Sequence, residues 1–201
     1  MDAAAAAGWA PLALADCFFD GGATVVQLRA KSLASGPLLD LAETLVSRAR
    51  PYGAQIIVND RVDVAMLARA AGAHVGQDDL APADARAQLG ADAVIGVSTH
   101  DERQFARALR EPVSYIAVGP IFGTRTKDTG YTPVGLDLVR AARRLDSAIP
   151  IVAIGGITLD TAPSVIEAGA TAVAVIGDLV ATGDPRARVE HYVQRLARLR
   201  L

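Results

Sequence analysis

Apolar positions along the chain come in two alternating rhythms. Short runs rich in Val, Ile and Ala are followed by longer stretches in which apolar residues recur every three or four positions. The short runs predict strands at 24–28, 55–58, 73–76, 93–97, 115–118, 151–154 and 171–176. The longer stretches predict helices at 11–19, 38–50, 62–71, 101–109, 136–145 and 159–168. The strand runs are apolar throughout, as expected of strands buried on both faces, so the alternation predicts a parallel sheet covered by helices. Gly22-Ala23, Gly72-Ala73, Gly90-Ala91 and Gly169-Ala170 each fall between a helix and the next strand. Glycine there can end a helix in the left-handed conformation. Units of roughly 25 residues fit a TIM-type (β/α)8 barrel. Only seven strands are found, however, and the helix at 11–19 runs directly into the strand holding Gln27. Residues 1–10 are Ala-rich and poor in β-branched side chains. The expected architecture is therefore a TIM-type barrel lacking its first strand. No linker-like segment interrupts it, so 1–201 reads as one domain with 1–10 as a tail.

Composition narrows the class of partner. The 201 residues carry a net charge of −2, and both signs are interspersed. That gives no electrostatic case for nucleic acid or an anionic membrane. An anionic substrate must be held by local groups. A single cysteine, Cys17, excludes an internal disulfide and argues for a reducing compartment. No apolar run approaches the ~20 residues of a membrane span, and residues 1–10 lack the basic segment of a signal peptide. Cytoplasmic location is the expectation.

Only two of the twenty Lys+Arg residues are lysine, Lys31 and Lys127, and Asn59 is the one asparagine. Lysine kept in so arginine-rich a chain suggests sites that need a compact ammonium rather than a planar fork. These rare residues fall at or beyond strand ends, as does every other chemically demanding residue. In parallel α/β proteins the C-terminal ends of the strands form the active rim. Gln27, Arg29 and Lys31 occupy alternate positions, so strand periodicity points them one way. Two cations and an amide there suit a polyphosphate. Asn59-Asp60 follows the second strand and Gln77-Asp78-Asp79 the third. Carboxylates on adjacent strand ends suit Mg2+, which takes one or two carboxylates plus substrate phosphates. Asp60 and Asp79 are the candidate ligands. Asp78 or Asp79 could instead cap the following helix, and His74, inside a short strand, reads as core. Ser98 could donate to a phosphate oxygen or cap the helix ahead of Asp101-Glu102. No GxSxG turn or acid partner supports a Ser/His hydrolase.

The segment 119–135 is long, polar and Gly-rich, which marks a functional or mobile loop. Its Thr124, Thr126 and Lys127 can bind an anionic group. Gly155-Gly156-Ile157 follows the penultimate strand, where backbone N–H groups often receive phosphate. Asp178, after the last strand, is awkward beside a phosphate and reads as a cap or structural contact.

The ordered set Val26-Gln27-Leu28-Arg29-Ala30-Lys31, Val58-Asn59-Asp60, His74-Val75-Gly76-Gln77-Asp78-Asp79, Gly96-Val97-Ser98, Gly119-Pro120-Ile121-Phe122 with Thr124-Arg125-Thr126-Lys127, and Ile154-Gly155-Gly156-Ile157 resembles the thiamine-phosphate synthase family of (β/α)8 enzymes. The resemblance spans about residues 11–180. It implies coupling of a hydroxymethylpyrimidine diphosphate to a thiazole phosphate, with release of pyrophosphate. It implies Mg2+ on Asp60 and Asp79, and diphosphate held by Arg29, Lys31, Asn59, Ser98 and Lys127. Gln27 would contact the pyrimidine, and Thr124, Thr126 and the Gly156 backbone the thiazole phosphate. A homo-oligomer is also implied. A related thiazole tautomerase places a histidine at about the position of Pro120. The other alternative is an impaired paralogue, because the family normally begins with a strand and loop ahead of the first helix. Gly123 and Gly177 stand where the family has Pro and Ser.

Overall fold

The computed structural model describes residues 8–123, 131–146 and 148–199. Strands β1 (Val25–Leu28), β2 (Gln55–Asn59), β3 (Gly72–Val75), β4 (Val94–Thr99), β5 (Tyr115–Val118), β6 (Ile151–Ile154) and β7 (Ala172–Ala174) form one parallel sheet in sequential order. α1 (Pro11–Asp20) precedes β1; between the strands run α2 (Ser35–Ala49), α3 (Val62–Leu67), α4 (Pro82–Leu89), α5 (Glu102–Ala108), α6 (Gly135–Leu145) and α7 (Ala162–Glu167), with α8 (Gly177–Val180) and α9 (Pro185–Ala197) after β7. All seven expected strands are present, and sequential parallel order is the curl of a TIM-type fold. β1 and β7 do not pair among the described residues, so the sheet is a barrel short of its eighth unit.

Where the sheet is open, the helical layer closes. α9 packs against α1. Gly21 makes this possible, because a Cβ there would lie 2.7 Å from both the Arg186 carbonyl oxygen and the Val189 Cβ. α1 buries Leu14, Ala15, Phe18 and Phe19, and Phe19 stacks on Tyr52 beyond α2. The core between sheet and helices is aliphatic, with Ile56, Val58, Ala73, Ile95, Ile116 and Ile151 at 0–2% exposure. That is the packing of strands covered on both faces.

Of the four helix-to-strand glycines, Gly22, Gly90 and Gly169 take positive φ as expected. Gly72 does not. It opens β3 opposite Val94, where a Cβ would fall 1.8 Å from the Val94 carbonyl oxygen. Its role is close approach of two backbones rather than a left-handed turn.

Two arginines pin the lower ends of the strands. Arg86 of α4 donates to the carbonyls of Gly90, Ala91, Ala93 and Pro112 and to Ser114 Oγ. Arg143 of α6 does the same for the Gly169 carbonyl and Thr171 Oγ1. A planar fork can satisfy several fixed acceptors at once, which a lysine cannot. The strand ends are thereby held on the face opposite the candidate site.

Candidate active site at the strand ends

The rim gathers the expected groups from adjacent strands. β1 ends at Leu28, so Gln27 lies in the strand while Arg29 and Lys31 lie past it. The strand alternation expected to point Gln27, Arg29 and Lys31 one way therefore does not extend to the two cations. Contacts fix Lys31 instead. Its Nζ lies 2.8 Å from Asp60 Oδ2, after β2. Asp60 has φ 62°, and with Arg69 it is one of two non-glycine residues at positive φ among the described residues. Its N–H donates to the His74 carbonyl at 2.8 Å. A left-handed non-glycine residue is uncommon, and such strain concentrates at functional sites.

Asp79 lies beside Asp60. Its Oδ2 accepts the Gly76 N–H at 2.7 Å. Its carboxyl titrates above the usual carboxylate range: burial raises it, the Gly76 N–H pulls it down, the Asp60 carboxyl raises it and Lys31 lowers it. Two carboxylates that crowd each other beside one ammonium are a donor set that a divalent cation would relieve. Among the described residues no group of three or more His, Cys, Asp or Glu side chains is arranged for a metal. Neither Asp78 nor Asp79 caps α4. Its N-cap is Ala81, which makes no side-chain cap bond.

Asn59 ends β2 and is buried. Ser98 lies inside β4, 5% exposed, and its Oγ is 2.8 Å from His74 Nε2. The helix-cap reading of Ser98 fails: α5 is capped by Asp101, whose Oδ1 accepts the Gln104 N–H at 2.7 Å. His74 is buried as expected, but between polar partners, with Nδ1 2.9 Å from the Tyr115 hydroxyl. Gln77 Nε2 donates to the Ser98 carbonyl at 2.6 Å, and Arg107 donates to Gln77 Oε1. Sequence reasoning places Gln77 at the strand end without a role and does not single out Tyr115 or Arg107. The available signal was Gly96, a glycine inside a strand, which marks a place where something crosses close. Tyr115 is what crosses.

Thr124, Thr126 and Lys127 lie outside the described residues. Their flanks are tied to the neighbouring strands by backbone hydrogen bonds. The Phe122 N–H donates to the Gly155 carbonyl at 3.0 Å, and the Val134 N–H to the Pro120 carbonyl at 2.8 Å. Tyr131 stacks on His100, whose Nδ1 bonds the Gly119 carbonyl. Gly156 has φ 66°, and a Cβ there would meet the Gly123 carbonyl oxygen at 2.6 Å. The β6 loop and the start of the 119–135 segment thus touch backbone to backbone, which only glycine at 156 allows.

Asp178 is a structural contact. It accepts the Leu159 N–H at 3.0 Å, a two-pronged bond from Arg188 and the Tyr192 hydroxyl at 2.6 Å. It ties the β6 loop to α9. Burial pushes its carboxyl up, but Arg188, Tyr192 and Leu159 outweigh it and leave the carboxyl below the usual range. Burial, reinforced by that carboxylate, raises the Tyr192 phenol. Asp178→Ala strands a largely buried guanidinium and should cost about 3 kcal/mol in chemical denaturation. A carboxylate depressed in the folded state stabilises fully above its unfolded value, and that gain is lost as pH falls through the depressed one. The stability gap between the native chain and Asp178→Asn should therefore narrow in acid below the ordinary carboxylate range. A gap constant across that window would contradict it.

Parallel strands whose C-terminal ends assemble an ammonium, paired carboxylates and buried amide and hydroxyl donors define the class: a TIM-type α/β enzyme. The family model for thiamine monophosphate synthase matches residues 5–179, and the chain belongs to that family. It is 46% identical over 176 residues to a thiamine-phosphate synthase of Koribacter versatilis, covering 88% of this chain and 82% of that protein. It is 44% identical over 183 residues to a thiamine-phosphate synthase of Chloroflexus aurantiacus, covering 91% and 84%. In structure it superposes on thiamine phosphate pyrophosphorylase from Pyrococcus furiosus with a TM-score of 0.87 at 28% identity, covering 94% of this chain and 90% of that one. Thiamine-phosphate synthesis, a group transfer, is the activity this membership carries. No helix among the described residues is long and apolar enough to cross a membrane.

Proposed function

We propose that this rim couples hydroxymethylpyrimidine diphosphate to a thiazole phosphate, releasing pyrophosphate and forming thiamine phosphate. The observation that carries the reading is the Lys31–Asp60–Asp79 cluster, which joins the ends of β1, β2 and β3. Asp60 and Asp79 would hold Mg2+, which when bound neutralises charge on the leaving diphosphate. Arg29, Lys31, Asn59, Ser98 and Lys127 hold the diphosphate oxygens. Gln27 orients the pyrimidine. Thr124, Thr126 and the Gly156 N–H receive the thiazole phosphate.

The reaction is dissociative in this account. Pyrophosphate departs first, a resonance-stabilised pyrimidine methyl cation forms, and the thiazole nitrogen attacks it. No enzyme nucleophile is needed. The side chains stabilise charge on the leaving group, align the two rings and exclude water. The enzyme acts in the cytoplasm on small molecules, and a homo-oligomer fits the same reading. Pro120, where the tautomerase carries histidine, offers no base and favours the synthase.

The test is incubation of the purified chain with both phosphorylated substrates, following thiamine phosphate and pyrophosphate together. Equal amounts of the two support coupling. Folded protein that yields neither product refutes it. Lys31→Arg sharpens the assignment, because a guanidinium keeps the charge but not the compact ammonium that pairs with Asp60. It should slow turnover by about tenfold or more, and unchanged turnover would remove Lys31 from the site.

A further inference from the structure

We propose that Tyr115 is a positioning residue for the coupling reaction, fixing through His74 the direction in which the Ser98 hydroxyl donates. The inference deepens the proposed function and rests on the reading of Ser98 as a diphosphate contact. Three side chains from three adjacent strands form one line, buried at His74 and Ser98 and half-buried at Tyr115. The Tyr115 hydroxyl of β5 is 2.9 Å from His74 Nδ1 of β3, and His74 Nε2 is 2.8 Å from Ser98 Oγ of β4. His74 is 6% exposed and Ser98 5%. The Tyr115 and His74 rings stack with centroids 5.6 Å apart. Gly96 lets the phenol cross β4, because a Cβ there would lie 2.1 Å from Tyr115 Cζ and 2.4 Å from its oxygen.

A neutral imidazole has one N–H and one lone pair, so the bond at one nitrogen dictates the bond at the other. Burial keeps the Tyr115 phenol protonated. A protonated phenol is a stronger donor than acceptor, so its proton turns toward His74 Nδ1. His74 then carries its proton on Nε2 and donates to Ser98 Oγ. Ser98 is left with its proton for another acceptor, and the acceptor this site would supply is a diphosphate oxygen. The line thus runs from a phenol on β5 to a residue assigned to the leaving group. A donor oriented before the charge develops needs no reorganisation when it does.

Tyr115→Phe removes the hydroxyl and keeps the ring over Gly96. The 15N spectrum of the native chain should show His74 as the Nε2–H tautomer, and this preference should weaken in Tyr115→Phe. Turnover of Tyr115→Phe should fall by about tenfold, with KM for both substrates within about twofold of the native values. On a Ser98→Ala background the same substitution should cost nothing further, because both changes remove one donor. An Nδ1–H tautomer in the native chain overturns the relay, and that measurement needs no variant to fold. So does undiminished turnover in Tyr115→Phe when Ser98→Ala is slow, or a double variant whose losses multiply. Undiminished turnover in Ser98→Ala overturns instead the reading of Ser98 on which the relay depends.

Discussion

Asp60→Asn is expected to slow coupling by about a hundredfold to a thousandfold while leaving the melting temperature close to that of the native chain. Asparagine tolerates the left-handed backbone that Asp60 adopts at φ 62°. The fold therefore survives the change, and the Asp60 N–H can still bond the His74 carbonyl. What disappears is the charge. Lys31 loses its partner at 2.8 Å, and the pair of carboxylates becomes a single one. The Lys31 side chain is 53% exposed, so losing the pair costs the fold little. The effect should appear in turnover, read from steady-state production of thiamine phosphate. A slow enzyme with an unaltered melting curve is the expected combination. Unaltered turnover would remove Asp60 from the catalytic rim, and a collapsed melting curve would make its role structural.

Gly72→Ala should do the reverse, breaking the fold without touching a proposed site residue. The added Cβ would sit 1.8 Å from the Val94 carbonyl oxygen and 2.7 Å from the Val94 nitrogen, both backbone atoms of the adjacent strand. No side chain can rotate away to relieve this. β3 and β4 must part, which endangers the 2.8 Å bond from the Val94 N–H to the Ala71 carbonyl. A loss of about 3 kcal/mol or more is expected. In a domain of this size that lowers Tm by about 10 °C. Gly36→Ala is the matched control. Nothing lies within 4 Å of a Cβ there, and it lies in α2, where alanine is favoured over glycine by up to about 1 kcal/mol. Thermal melting of the two variants side by side checks the argument, and similar curves would defeat it.

Much of the fold was legible in the sequence because strands covered on both faces read as unbroken apolar runs. Ile151–Ile154 and Tyr115–Val118 appear with the expected bounds. α4 was not, because it buries only Ala85 and so carries no apolar stripe. α9 was also missed. Its anchors are not visible in its own pattern: Gly21 lies far away at the α1 end, and Asp178 stands outside the helix, in α8. The site shows the same division. Asn59, Asp60 and Asp79 announce themselves by standing just past apolar runs. Periodicity says which face a residue takes but not what stands opposite it. The Tyr115–His74–Ser98 line depends on cross-strand register and stayed hidden. The positive φ of Asp60 and the crowding of Asp60 against Asp79 are properties of the turn after β2 and its neighbour, not of residue order.

The central claim is that the Lys31–Asp60–Asp79 cluster is a magnesium–diphosphate site serving thiamine-phosphate synthesis. The most direct measurement is the rate of thiamine phosphate formation from both phosphorylated substrates as Mg2+ is titrated into chelator-treated protein, for the native chain and for Asp60→Asn. The account predicts saturable, Mg2+-dependent product from the native chain and a large loss in the variant at every concentration. Product formed by the native chain at the same rate with and without Mg2+ would contradict it.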